Sequence, residues 1–254
     1  MEKKMNKTIG NALTCKSVCV LTTLALLAPA SAQAAIALDR TRVIFDGGQS
    51  SVSMSVSNQN KQLPYLAQGW IEDESGNKIT SPLTVLPPVQ RIEPGKPSQV
   101  KIQALPVAKQ LPQDRETLYY FNLREIPPKS NKPNTLQIAL QTRIKMFYRP
   151  TAIAINKNAM PPQEQITLRR EGNSYVVNNP TAYYITIAEA RDGNGSSIKS
   201  FEPVMVAPKG NAPLRVSFSG APTLTYINDY GGRPELKFSC NGSTCNVVPG
   251  KKNS

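Results

Sequence analysis

Apolar and polar positions alternate along much of this chain with a period of two, and the longest such run is LQIALQTRIKMFYRP, Leu136 to Pro150. One face of it carries Leu136, Ile138, Leu140, Thr142, Ile144, Met146 and Tyr148; the other carries Gln137, Ala139, Gln141, Arg143, Lys145, Phe147 and Arg149. Such alternation predicts a strand with one buried face. Fourteen residues up to the proline would extend about 45 Å, more than twice the ordinary strand, so one sandwich does not cover all of it. Ile144 to Tyr148 suffice for the sandwich, which leaves Leu136, Ile138 and Leu140 as an aliphatic row beyond it. Edge strands are normally blunted by charge, proline or a bulge, and LQIALQT has none of these. Either a neighbouring loop covers the row or a partner does, by strand addition. Burying three such side chains contributes about 5–9 kcal/mol gross, before the cost of association.

Shorter alternating runs precede it: IALDRTRVIF, SVSMSVSN, PYLAQGWIED, SQVKIQAL and TLYYFNLREI, separated by turn clusters at DGGQS, DESGNK and LPPVQRIEPGKPS. Six or seven strands at this spacing predict an antiparallel sandwich. Trp70, the only tryptophan, falls on its third strand, where an immunoglobulin-like core would centre. The alternation lapses around the adjacent Pro161 and Pro162, then resumes in ITLRREGNSYVVNN, YYITIAEARD, PLRVSFSG, TLTYINDY, PELKFSC and TCNVVPG. The expected fold is all-β, two β-sandwiches in tandem, with residues 35–152 as the first domain, 153–162 as a linker and 163–254 as the second domain.

The amino terminus changes the picture. Lys3, Lys4, Lys7 and Lys16 precede or enter an apolar stretch, and SAQA follows with small residues at Ala32 and Ala34. A basic start, a short apolar segment and an A-x-A site read as a secretory signal peptide over residues 1–34, cleaved after Ala34. Val18 to Ala28 is about half the ~20 residues that a spanning helix needs. Met5 serves as well as Met1 for a start, which shortens the leader without changing its meaning. Removal of 1–34 takes four Lys and one Glu from the 30 basic and 17 acidic residues, leaving 26 against 16, a charge of +10. The basic residues are scattered, and export argues against nucleic acid; a solvated basic surface or a carboxylate-bearing protein partner fits better. Cys15 and Cys19 leave with the leader. Cys240 and Cys245, in CNGSTC, then read as a disulfide clamping a hairpin in an oxidising compartment.

The chain contains no histidine. The commonest general base and the usual serine-hydrolase triad are therefore missing, and two thiols without histidine do not furnish a zinc shell. No nucleophile elbow or phosphate-binding glycine loop occurs in a strand-to-helix context. The acidic residues sit singly in turns, the ordinary setting of solvated charge rather than of a glycosidase pair. The chain reads as a binding protein and not an enzyme, with no metal or cofactor. A secreted structural or adhesive sandwich subunit is the alternative, and a glycan-cleaving enzyme the weakest reading.

LDRTRVIFDG, NKQLPYLAQGWIE, PPVQRIEPG, LPQDRETLYYFNLREIPP, LQIALQTRIKMFYRP and YINDYGGRPELKFSCNGSTC together resemble the periplasmic pilus-assembly chaperones, over nearly all of the chain after the leader. The resemblance implies two immunoglobulin-like sandwiches in a boomerang arrangement, with Arg42 and Lys145 in the cleft binding the C-terminal carboxylate of a pilus subunit. It implies that Leu136, Ile138 and Leu140 fill the groove of the subunit's incomplete fold, and that Glu116, Arg149 and Asp229 link the domains across the cleft. It further implies the periplasm as location, an outer-membrane usher as second partner, and no nucleotide or membrane insertion. The resemblance is weaker at about residues 163–174 and 189–222.

Overall fold

The computed structural model describes residues 35–156 and 159–249, so the expected leader, its cleavage site, Cys15 and Cys19 lie outside the described residues. The protein is all-β and forms two immunoglobulin-like domains. In the first, one sheet has the order β1 (Ile36–Leu38), β3 (Ser51–Asn58), β8 (Pro97–Ala104), β6 (Leu83–Leu86). The facing sheet runs β2 (Arg42–Asp46), β10 (Gln141–Arg149), β9 (Thr117–Ile126), β4 (Tyr65–Glu72), β5 (Lys78–Ile79), and β7 (Val89–Ile92) also pairs with β4.

Alternation fills the space between these sheets. Met54 and Val56 of β3, Val100 and Ile102 of β8, Tyr119, Phe121 and Leu123 of β9, and Ile144, Met146 and Tyr148 of β10 all enter one buried cluster. Phe45 and Tyr148 stack there with ring centroids 5.7 Å apart. The run IALDRTRVIF, expected as one strand, is two. Asp39 accepts a hydrogen bond from the Ser55 amide and pairs with Arg40, and beyond this corner the chain crosses from the first sheet to the second. There β2 lies parallel to β10, with Arg42 opposite Lys145.

Trp70 does not centre the core. It is buried on the outer face of β4, where its indole N–H donates to Glu72 and Arg124 and Lys78 lie over the ring at 5.1 and 5.4 Å. Its neighbour Ile71 points inward instead, because adjacent residues of a strand face opposite ways.

The second domain follows the order β14 (Val204–Val206), β13 (Ile185–Arg191), β16 (Thr223–Ile227), β17 (Glu235–Asn241), β18 (Thr244–Val247), β11 (Thr167–Glu171), β12 (Ser174–Asn179), β15 (Gly210–Pro213). The first half of β17 pairs with β16 and its second half with β18, so this strand passes from one layer to the other. Leu168, Val177, Ile185, Ile187, Leu224 and Phe238 pack between them. The segment PLRVSFSG, expected as a strand, forms none beyond Pro213, the last residue of β15. Arg215 adopts a left-handed backbone (φ 55°), which breaks the extended run, while Leu214 and Phe218 on either side still anchor it to the core. Cys240 and Cys245 are directly paired across the β17–β18 hairpin and bonded, with Cys245 buried among the core residues.

Arg149, the last residue of β10, joins the two domains. Its guanidinium donates to Glu116 at 2.9 Å and to Asp229 at 2.8 and 3.2 Å. The second oxygen of Glu116 accepts the Tyr184 amide at 2.8 Å, and the Glu116 amide donates to the Ala182 carbonyl. Phe147 packs against Tyr184, and Lys209 pairs with Asp114 nearby. The Glu116 side chain is 2 % exposed and that of Arg149 12 %, so this pair is desolvated, unlike the ordinary surface ion pair.

Two stability tests follow from this packing. Arg149→Ala strands the buried Glu116 carboxylate and is expected to lower unfolding free energy in urea by about 3–5 kcal/mol. Asp229→Asn leaves the Arg149–Glu116 pair intact and is expected to lower it by about 1 kcal/mol or less; equal losses for the two variants would refute a special weight for Glu116. Replacing both Cys240 and Cys245 by Ala removes a short closed loop worth about 2 kcal/mol. That loss belongs to the unfolding transition reported by amide exchange in the second domain, with the first domain unchanged.

Candidate functional site

The core face of β10 is closed, and its other face carries the candidate cations. Because β2 and β10 run parallel with Arg42 opposite Lys145, two positive side chains separated by about a hundred residues in sequence stand side by side on one face of the sheet. Arg42 is 8 % exposed. Its Nη1 donates to the Ile227 carbonyl of the second domain at 3.1 Å, while its Nε–H is buried with no partner. Lys145 is half-buried, and its side chain has no hydrogen bond or ion pair among the described residues. Burial pulls the Lys145 ammonium below its usual range, and the neighbouring Arg42 pulls it further. Burial also lowers Arg42, against the opposing attraction of Asp229 and Glu116.

A cation held without a counter-ion in a partly dry setting disfavours its own charge, and an unpaired buried N–H adds to the cost. The protein keeps two such cations adjacent. A carboxylate placed against them would relieve both, with charged donors from the Arg42 guanidinium and the Lys145 ammonium. Beside them opens a cavity of about 520 Å³ whose lining includes Arg42, Ile44, Arg149, Asp229 and Tyr230. Arg149 and Asp229 are already matched to each other; Arg42 is not.

Leu136, Ile138 and Leu140 lie before β10 and are 85 %, 65 % and 42 % exposed. The covering loop that the sequence left open is not there among the described residues. The expected strand from Leu136 is also shorter than predicted: its ladder begins at Gln141. The reason is the neighbour. Strand β9 ends at Ile126 and continues into Pro127 and Pro128, which carry no backbone N–H and do not extend the ladder. The last backbone bond to this segment is from the Glu125 amide to the Leu140 carbonyl, 3.0 Å.

Two residues that the sequence did not mark hold this segment in place. The Gln137 side chain donates to the Pro128 carbonyl and accepts from the Ser130 amide. Glu125, buried, accepts the Ile36 amide at 2.7 Å and so ties the first strand to the base of the exposed row. Nothing in local patterning distinguishes either from the other polar residues of an alternating strand. A groove of about 550 Å³ lined by Leu63, Tyr65, Pro127, Pro128, Leu136 and Ile138, among others, runs beside the row. Glu116, Arg149 and Asp229 are brought together at the domain junction as described above.

Comparisons with known proteins identify the family and agree with the two-domain fold. Residues 35–154 match the family model of the pili and flagellar-assembly chaperone, PapD N-terminal domain, and residues 161–238 match that of the pili assembly chaperone PapD, C-terminal domain. The chain is 53 % identical over 239 residues to the probable fimbrial chaperone YfcS of Escherichia coli (strain K12), covering 92 % of this chain and 96 % of the relative. It is 52 % identical over 222 residues to the chaperone protein PapD of Escherichia coli, covering 85 % and 91 %. Among solved structures it is similar to the periplasmic chaperone SfaE, with a TM-score of 0.65, 32 % identity and coverage of 80 % and 97 %. It is likewise similar to a chain of the Salmonella enterica SafA pilin complex with the SafB chaperone, with a TM-score of 0.68, 28 % identity and coverage of 81 % and 95 %. With family models spanning both domains and relatives above half identity along most of its length, the chain belongs to the PapD-like pilus-assembly chaperone family.

Proposed function

We propose that this protein is a periplasmic chaperone that binds a pilus subunit along Leu136–Leu140, anchors the subunit's C-terminal carboxylate on Arg42 and Lys145, and delivers it to an outer-membrane usher. The observation that carries this reading is the exposed aliphatic row, unpaired on its backbone through Ala139, leading directly into the strand that bears the unneutralised Lys145 and lies beside the unneutralised Arg42. Its relatives are chaperones, a non-enzymatic family, and one structural neighbour is a chaperone complexed with a pilin. A subunit whose sandwich lacks a strand exposes its core; the row fills that groove with alternate side chains while the free backbone edge supplies the ladder bonds. The carboxylate anchor fixes the register, because a slip of one residue turns Gln137, Ala139 and Gln141 into the groove instead. Among the described residues no helix is long and apolar enough to cross a membrane, and the expected leader supplies export.

Co-expression with pilus subunits encoded beside this gene tests the reading. Arg42→Ala and Lys145→Ala are each expected to lower recovery of the periplasmic complex, since truncating one partner of a desolvated charge pair costs roughly 30-fold or more in affinity. Undiminished recovery from both variants would remove the anchor. Ile138→Asp places a charge in the groove-filling row and is expected to abolish capture while leaving the chaperone folded, because Ile138 contributes nothing to its own core.

The depressed Lys145 predicts a pH dependence with a definite sign. Capture needs the ammonium charged and the carboxylate ionised, so affinity falls as pH rises into the lowered range of Lys145. Lys145→Arg removes that alkaline loss; an identical alkaline profile for the two proteins would overturn the assignment.

A further inference from the structure

The cavity beside Arg42 is larger than a carboxylate requires, and its rim carries an aromatic ring that no part of the fold uses. Tyr230 is 94 % exposed, although the turn that presents it is tightly built. Asn228 Oδ1 accepts the amides of both Tyr230 and Gly232, at 3.0 and 2.8 Å, and the Asn228 carbonyl accepts the Gly231 amide. Gly231 has a left-handed backbone (φ 84°), and a Cβ there would come within 2.6 Å of the Thr41 hydroxyl. Only glycine lets the turn sit against the corner between β1 and β2. The second domain thus presses this turn onto the first and fixes the backbone that presents Tyr230 at the cavity mouth.

The charges of the lining determine what fits. Asp39 and Arg40 neutralise one another through two bonds of 2.8 Å, and Arg149 is matched by Glu116 and Asp229. Arg42 alone among the charged lining residues makes no ion pair. One anionic group is therefore accommodated, at Arg42, and the remaining space, faced by Thr41, Ile44, Tyr230 and the mutually neutralised Asp39–Arg40 pair, takes an uncharged side chain.

We infer that Tyr230 and Ile44 form a subsite for the side chain of the subunit's last residue, one that favours aromatic or large apolar termini and makes Tyr230 a specificity-determining residue. This rests on the reading of Arg42 as carboxylate anchor, since only a carboxylate held there places the terminal side chain in this space. The ring offers an exposed face at little entropic cost, and aromatic contact of this kind is worth about fivefold in affinity.

The test uses the full exported protein and short fluorescent peptides of alternating Val and Ser with free C-termini, ending in Tyr, Gly or Asp, and a Tyr-ending peptide with an amidated terminus. Anisotropy titrations are expected to show the Tyr-ending acid binding about fivefold tighter than the Gly-ending acid, with the Asp-ending acid no tighter than Gly. Tyr230→Ala should bring the Tyr-ending peptide to the level of the Gly-ending one, and Tyr230→Phe should keep the preference. An unchanged Tyr-to-Gly ratio in Tyr230→Ala overturns the subsite while leaving the anchor standing, provided that Arg42→Ala weakens both peptides. If Arg42→Ala and amidation leave binding untouched, the anchor itself is wrong and the subsite falls with it.

Discussion

Strand β10 is paired on both edges from Lys145 to Tyr148, the segment leading into it is paired on neither through Leu136 to Ala139, and the rest of the molecule is arranged around where that change falls. The pairing is ended by chemistry: two prolines follow β9, and the chain leading into β2 turns away at the Asp39–Arg40 corner. The side chains do not change habit at that point. The even-numbered residues that close the protein's own core at Ile144, Met146 and Tyr148 continue outward as Leu136, Ile138 and Leu140 with nothing to cover them. A single periodicity thus supplies an interior to this protein and offers the same kind of interior beyond it.

The cations of the cleft divide by the same logic of satisfied and unsatisfied groups. Arg149 is held by two carboxylates across the junction and fixes the domains against each other. Arg42 and Lys145, close by on the same face, are left without counter-charge, and burial depresses both. Glu116 and Asp229 attract Arg42 from a distance but bond Arg149 instead. A bridging cation and two unneutralised ones therefore share one surface, distinguished by which of them the acidic residues reach.

Much of this was legible in the sequence where side-chain period alone decides it. The core face of β10, the row before it, the pairing of Cys240 with Cys245 and the two-sandwich order all follow from alternation, spacing and turn residues. What was not legible depends on which strand lies beside which. The adjacency of Arg42 and Lys145 comes from a parallel ladder between distant segments, which local pattern does not encode, and it was reached only through family resemblance. Trp70 was misplaced because a large aromatic beside Ile71 looks as buried as Ile71 does; the strand's parity puts one in the core and the other under Arg124 and Lys78. PLRVSFSG alternates convincingly, yet one left-handed residue at Arg215 undoes it, a backbone choice that an arginine does not announce.

An aliphatic row in water is a standing invitation to the wrong partner, and its usefulness depends on being held rather than merely exposed. Gln137 fastens the polar face of the segment to Pro128 and Ser130, and the Glu125 amide fastens Leu140, so the row is shaped before any partner arrives. Pre-ordering lowers the entropy that association must overcome, which lets a modest apolar area contribute more of its gross value to binding. Selectivity then falls to the far end of the strand. Aliphatic side chains at alternate positions do not by themselves define a register, whereas under the proposed function a carboxylate on Arg42 and Lys145 would admit only one. In the proposed function the row supplies the affinity, and the two unneutralised cations set the register in which it is used.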